Sequence, residues 1–208
     1  MAEESRSSGR STAEERKRQL LEVARRIIET EGVEALRPTR IAELAGCTRP
    51  LIYQYFPRRE DFFIEITEDF YRVLEEASQA HGGRVISEAA RGNPEPARGL
   101  ADALWTYLDE KGPSALILRS TPEISADFKA YLARLRDSYE VRWRKGFLDL
   151  GMDATRADFM LELFATVMKV LGMQYLSGRI DRDAAAARYL QTIGALLRGT
   201  IVVEHTTG

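Results

Sequence analysis

The sequence predicts an all-α protein of about nine helices, with an N-terminal three-helix helix-turn-helix domain followed by a larger helical body. Three observations carry this prediction. Apolar residues recur at i, i+3 and i+4 in segment after segment. No run alternates apolar and polar residues long enough for a strand, and no turn dipeptide joins two apolar runs as a hairpin requires. Glycine and proline fall between the periodic segments, where helices stop and start.

Thr12, with Glu15 three residues later, has the form of a capping box and predicts the first helix start. Residues 1–11, made largely of Ser, Arg, Gly and Glu, are expected to be a flexible tail. Leu20, Ala24, Ile27 and Ile28 then share one helical face, and Gly32 ends the segment. Pro38–Ala45 is a short second helix, since proline is tolerated in a first turn, and Gly46 breaks it. Thr48 is the predicted N-cap of a third short helix that contains Pro50 and runs to Phe56, with Pro57 closing it. The first domain is therefore placed at 12–58 and the body at 59–208.

A fourth helix starts near Arg59 and carries Phe62, Phe63, Ile66, Phe70, Val73, Leu74 and Ala77. The stretch from His81 to Gly99 is crowded with glycine and proline, and no element is assigned inside it before about 96. Further helices are expected at 96–111, 113–119, 123–150, 154–177 and 182–203.

Bulk properties exclude several classes. With 208 residues, 44% of them hydrophobic, the chain can bury a core and is not disordered. The single cysteine, Cys47, allows no intrachain disulfide. Met1–Arg10 lacks the apolar run of a signal peptide. Phe159–Leu176 is apolar but interrupted by Glu162, Lys169 and Gln174, which argues against a membrane span. A soluble, cytoplasmic protein with no membrane partner is expected. His81 and His205 lie far apart without ligand-type neighbours, so no metal and no cofactor is expected. Asp149, Asp153 and Asp158 read as helix-end charges, because they lack a calcium-loop pattern. No nucleophile elbow, phosphate loop or metal cluster points to an enzyme.

Charge is informative locally. The chain carries a net −2, yet Arg37, Arg40, Arg49, Arg58 and Arg59 stand against Glu43 alone between Arg37 and Arg59, a local +4. Phosphate neutralisation is the main source of DNA affinity, so such an excess suits a nucleic-acid surface. The geometry agrees. Gly46 permits a tight turn, Ala42 is small where the two helices cross, and Ile41, Leu44 and Ile52 supply apolar contacts. Phe56 plugs the domain. Thr48, Arg49, Pro50, Leu51, Tyr53 and Gln54 are left facing outward near the end that enters a major groove in such motifs.

The string Ile41-Ala42-Glu43-Leu44-Ala45-Gly46-Cys47-Thr48-Arg49-Pro50-Leu51-Ile52-Tyr53-Gln54-Tyr55-Phe56-Pro57-Arg58-Arg59-Glu60 resembles the tetracycline-repressor (TetR) family of bacterial regulators. The likeness spans about residues 12–66. It implies that Arg49, Pro50 and Leu51 face bases, that Tyr53 and Tyr55 pack on sugar and phosphate, and that Thr39 contacts DNA. It also implies that Arg59 binds phosphate where the family usually has lysine. Arg37 departs from the family's Ser or Thr cap, and Cys47 replaces the usual valine, for which a buried thiol is a conservative exchange.

In the body, the 154–177 helix is apolar nearly all round and must be covered on two sides. Ala186, Ala187, Leu190, Gly194 and Leu197 on the next helix allow close approach. A homodimer through Leu163, Val167, Leu171, Leu190, Gly194 and Leu197 is expected, and the resemblance implies the same four-helix interface. The middle helices carry Trp105, Phe128, Tyr131, Leu135, Tyr139 and Trp143, which the resemblance places around a ligand pocket, with Arg119, Arg142 and Gln174 as candidate polar anchors. The expected function is a repressor that binds a double-stranded palindromic operator as a dimer and is released by a small-molecule effector. The alternative is a regulator without a small ligand, controlled by a protein partner or acting as an activator.

Overall fold

A computed structural model describes the backbone of residues 2–80, 84–121 and 124–203, and the side chains of residues 12–80, 84–121, 124–139 and 141–198. His81 and His205 lie outside the described residues. Ten α-helices and one 3-10 turn, with no strand, make up the described residues. The helices are α1 (Ala2–Thr30), α2 (Pro38–Ala45), α3 (Arg49–Tyr55), α4 (Arg59–Ala80), α5 (Val85–Ala90), α6 (Glu95–Lys111), α7 (Ser114–Ser120), α8 (Ala126–Leu148), α9 (Ala154–Leu176) and α10 (Arg182–Val203). The 3-10 turn is Val33–Ala35.

The helical backbone of α1 begins at Ala2, so Thr12 and Glu15 lie inside it and do not cap its start. No proline interrupts this stretch, and one interior glycine costs a helix only about 1 kcal/mol. The apolar face is as predicted: Leu20, Ala24, Ile27 and Ile28 are buried. Gly32, at φ +89°, ends the run in a conformation that L side chains rarely adopt. The short α5, missed in the sequence, buries Val85, Ile86 and Ala89. Six residues flanked by glycines carry too little periodicity to register. Asp153 caps α9 by accepting from the Arg156 N–H at 2.9 Å, Asp149 pairs with Lys145, and Asp158 pairs with Arg144.

Two compact units divide the chain, and none of the three boundaries, at 69/70, 113/114 and 132/133, falls at 58/59. The first comprises Met1–Asp69 with Ser114–Leu132; the second comprises Phe70–Pro113 with Ala133–Gly208. In the first, α7 returns to pack on α1, burying Ala115, Leu116 and Leu118. Arg25 lies in this unit, only 7% exposed. Its guanidinium donates to Asp69 Oδ2 at 2.8 Å and to Ser114 Oγ at 3.2 Å. Glu29 accepts the Ser114 N–H at 3.1 Å, and burial pushes its carboxyl pKa up. A buried cation needs this degree of compensation.

In the second unit α9 and α10 pack together and α6 contacts both. Helix α10 turns Ala185, Ala186, Tyr189, Ile193 and Leu197 inward at helical spacing. Helix α9 is long and apolar enough to cross a membrane by length and composition, yet Met160, Leu161, Phe164 and Leu171 face the protein interior. Phe147 meets Phe164 edge-on at 5.3 Å, and Trp105 meets Tyr175 edge-on at 5.8 Å.

Candidate nucleic-acid interface

The turn between α2 and α3 is closed by backbone alone. Gly46 sits at φ +61°, ψ +38°, and the Cys47 N–H donates to Ala42 O at 3.0 Å. This left-handed residue after a helix is what glycine supplies cheaply. Thr48 is extended and immediately precedes α3, but its side chain makes no capping bond. The first turn of α3 is fixed instead by Pro50 and by the Thr48 carbonyl, which accepts from the Leu51 N–H at 3.1 Å. Arg37 likewise precedes α2 without a side-chain cap, and Pro38 holds that helix start.

Three buried side chains hold the pair of helices: Ile41 on α2, Ile52 on α3 and Phe56 just beyond it. Phe56 stacks on Phe62 of α4 with ring centroids 3.8 Å apart. Leu44, expected among the locking contacts, is instead 40% exposed. On an eight-residue helix the inward stripe has room for Ile41, and Leu44 lies on its edge.

With that core fixed, Thr39, Thr48, Arg49, Pro50, Tyr53 and Gln54 are exposed, Tyr53 by 51%. Leu51 and Tyr55 are half-buried. Ile52 serves the interior, so Tyr53 points away from it.

The arginines divide into two groups. The side chains of Arg37 and Arg49 are exposed and make no ion pair among the described residues. Arg40 is held by Glu31 at 2.9 Å and Glu43 at 3.2 Å, and its hydrogen bond keeps the Glu31 carboxyl pKa below the usual range. Arg58 pairs with Asp61 at 2.9 Å, while the Asp61 carboxylate also accepts the Arg58 backbone N–H at 2.7 Å and so caps α4. Arg59, expected to bind phosphate, turns toward its own domain. It donates to the Val33 carbonyl, reaches Glu34 and lies 5.2 Å from the Phe63 ring centroid. The Val33 carbonyl already accepts the Leu36 N–H at 3.2 Å, and its second lone pair takes the guanidinium. The cationic excess of the sequence is thus largely paired within the fold.

The body residues are dispersed. Phe128 and Tyr131 belong to the first unit, where Phe128 meets Phe63 edge-on at 5.4 Å and the Tyr131 hydroxyl donates to Glu68. Leu135, Tyr139, Trp143 and Trp105 belong to the second, where Tyr139 stacks on Tyr71 at 4.9 Å. The six are divided between the two units. Helix α8 spans 23 residues, about 34 Å at 1.5 Å per residue, so its shared face runs past different neighbours. Trp105 is fully buried, and its indole N–H has no hydrogen-bond partner among the described residues. Of the anchors, Arg142 pairs with Glu75, Gln174 is half-buried, and Arg119 lines a groove in the first unit.

The expected dimer residues also divide. Leu163, Val167, Leu190 and Gly194 are half-buried, whereas Leu171 and Leu197 are buried within the protomer's own core. The apolar side chains that α9 leaves exposed are Phe159, Val170, Met173 and Leu176. A helix apolar on every side gives no clue to its rotation, so the sequence could not phase it.

Helix pair, glycine turn and exposed α3 face define a helix-turn-helix protein with a helical body. The family described as bacterial regulatory proteins, tetR family, matches residues 20–66. Residues 20–66 thus resemble the N-terminal segment of that family. The fold is similar to the crystal structure of a tetR-family transcriptional regulator from Streptomyces coelicolor, with TM-score 0.61 and 22% identity over 92% of this chain and 83% of that one. It is also similar to a probable transcriptional regulatory protein, RHA5900, with TM-score 0.58 and 19% identity over 85% of this chain and 96% of that one. A putative TetR-family regulator from a Rhodococcus species follows at TM-score 0.51 and 17% identity, over 88% of this chain and 99% of that one. No curated protein matches the chain.

Proposed function

We propose that this chain is a cytoplasmic, ligand-responsive repressor that binds a palindromic operator as a homodimer. The observation that carries the reading is the exposed face of α3, with Thr48, Arg49, Pro50, Tyr53 and Gln54 outward and Ile52 locked inward. Arg49 and Gln54 can hydrogen-bond base edges, and Tyr53 offers an aromatic edge with a hydroxyl to the backbone. Leu51, Tyr55 and Thr39 border that face. Arg59 acts in this reading as a positioning residue, tying the start of α4 to the Val33 carbonyl.

Two half-sites need two recognition helices at fixed spacing. Phe159, Val170, Met173 and Leu176 form the apolar surface that a second copy would cover, with half-buried Leu163, Val167, Leu190 and Gly194 beside it. Effector release requires a ligand that binds the free and DNA-bound spacings unequally. The buried Trp105 N–H, without a hydrogen-bond partner among the described residues, supports a polar ligand atom in the body.

The test is electrophoretic retardation of DNA flanking the protein's own gene, with random DNA as competitor. A specific complex with two-fold footprint symmetry is expected. Equal affinity for random DNA across the flanking region would overturn the reading.

A further inference from the structure

Among the described residues, Arg25 on α1 is the only buried charged side chain, 7% exposed. Its guanidinium reaches two other helices. Nη2 donates to Asp69 Oδ2 of α4 at 2.8 Å, and Nη1 donates to Ser114 Oγ of α7 at 3.2 Å. Glu29, one turn further along α1, accepts the Ser114 N–H at 3.1 Å. These acceptors stand at particular places in the chain. Asp69 is the last residue of the first unit before the chain passes to the second, and Ser114 is the first after it returns. Near the remaining crossing, 132/133 within α8, the Tyr131 hydroxyl donates to Glu68, next to Asp69 on α4.

Stability alone is a poor account of such a residue. Burying a guanidinium costs solvation, and well-packed apolar side chains in place of a buried ion pair are often as stable or more so. What an apolar side chain lacks is direction. The planar guanidinium holds two acceptors at set angles from one another. The crossing at 69/70 lies inside the continuous helix α4, and the crossing at 113/114 lies at the start of α7. A displacement there is carried by a helix and is not absorbed in a long loop. Helix α1 in turn packs on α2, and α2 packs on α3.

We infer that Arg25 is a positioning residue that ties both crossings to α1, so that the DNA-reading helices answer to the rest of the body. This use rests on the regulator reading above. Displacement of α4 or α7 must carry α1 along or break a buried charge pair, and that is the energetic difference which coupling requires.

Both tryptophans of the chain, Trp105 and Trp143, lie in the second unit, so their fluorescence follows that unit. Pulsed hydrogen exchange on residues 20–30, read by mass spectrometry, follows α1. In the wild-type protein the two denaturant transitions should coincide. Arg25→Met combined with Asp69→Asn removes both charges, and α1 should then open at least about tenfold more often than the tryptophans report. Ile28→Val is the control. Ile28 is 1% exposed on α1, so the change weakens the same helix without touching the pair, and both transitions should shift together. With a retarded DNA fragment bound, exchange in α6 of the second unit should slow in wild type and in Ile28→Val but not in the double variant. If α1 of the double variant is unprotected without denaturant, Arg25→Lys, which keeps the charge without the fork, takes its place in every comparison. Coincident transitions in the double variant, or separate transitions in wild type or in Ile28→Val, overturn the proposal. So does DNA-dependent slowing of α6 that survives in the double variant. If the wild-type protein binds no specific DNA, the regulator reading fails, and the denaturant comparison still decides whether Arg25 joins the crossings.

Discussion

Helices α3 and α9 both leave side chains uncovered, but of opposite chemistry. The seven residues of α3 bury Ile52 and turn Arg49, Tyr53 and Gln54 outward. The twenty-three residues of α9 bury Met160, Leu161, Phe164 and Leu171 and turn Phe159, Val170, Met173 and Leu176 outward. The first surface suits a polyanion and should respond steeply to salt. The second suits an apolar partner and should respond weakly to salt. In the proposed reading the first surface exchanges with DNA and the second is covered by another copy of the chain.

The largest effect should come from attacking the second surface. Val170 is 48% exposed, so Val170→Glu is tolerable in a single protomer but places an unpaired charge inside a dimer. Dimer dissociation should strengthen by roughly a thousandfold, and operator binding should vanish with it. Sedimentation would read this directly. A wild-type chain that sediments as a monomer at micromolar concentration, or a variant that stays dimeric, would remove α9 from the interface.

The contrast between these helices also explains what the sequence made legible. Around α3 each residue type has one physical use. Gly46 occupies a left-handed turn, Pro50 a first helical turn, and Ile52 and Phe56 the interior. Those assignments match the structure position by position. On α9 and α10 nearly every residue is apolar or small, so nothing in the sequence distinguished Leu197, which is buried, from Ala195, which is exposed. The pairing of Arg40 with Glu31 and of Arg59 with Glu34 was invisible for another reason. Glu31 and Glu34 precede the motif in sequence, and only the fold brings them to Arg40 and Arg59.

A second variant sharpens the α3 side. Arg49 has no ion pair among the described residues, so Arg49→Ala should leave stability and random-DNA affinity nearly unchanged. It should relax preference at one base position per half-site by about 1–3 kcal/mol, measured by competition among operator variants. Equal weakening on cognate and random DNA would mean that Arg49 holds phosphate.

A smaller effect tests the paired arginines. Glu31→Gln removes a negative charge while keeping an acceptor for Arg40. Random-DNA affinity should rise by about threefold and the salt slope should steepen by up to about one unit. An unchanged slope would place Arg40 away from the DNA backbone. Arg59→Ala, in contrast, should lower the melting temperature and change the slope little, because its guanidinium serves the Val33 carbonyl.

The smallest effect concerns Glu29. Its carboxyl pKa is raised in the fold by burial, so the folded state holds its proton to higher pH than the unfolded chain does. The resulting penalty is absent below the unfolded pKa, grows as pH rises through the window between the two, and is complete above the folded value. Glu29→Gln, which retains the acceptor for the Ser114 N–H, should flatten the stability-against-pH curve on the acid side, as chemical denaturation at successive pH values would read.

The packing of α7 on α1 has a consequence in time. The first unit is discontinuous: Met1–Asp69 is completed only by Ser114–Leu132. During synthesis α1, α2 and α3 emerge early, yet Arg25 then lacks Ser114, and α1 lacks the Ala115, Leu116 and Leu118 face that will cover it. Closing that gap is a long-range event, slow by the rule that distant contacts carry loop-closure entropy before they are rewarded. The nascent DNA-reading helices therefore stay incomplete until residues past 114 have left the ribosome. A chain halted before that point presents α2 and α3 on an unfinished α1, so the surface proposed to read an operator is completed only after much of the body has been made.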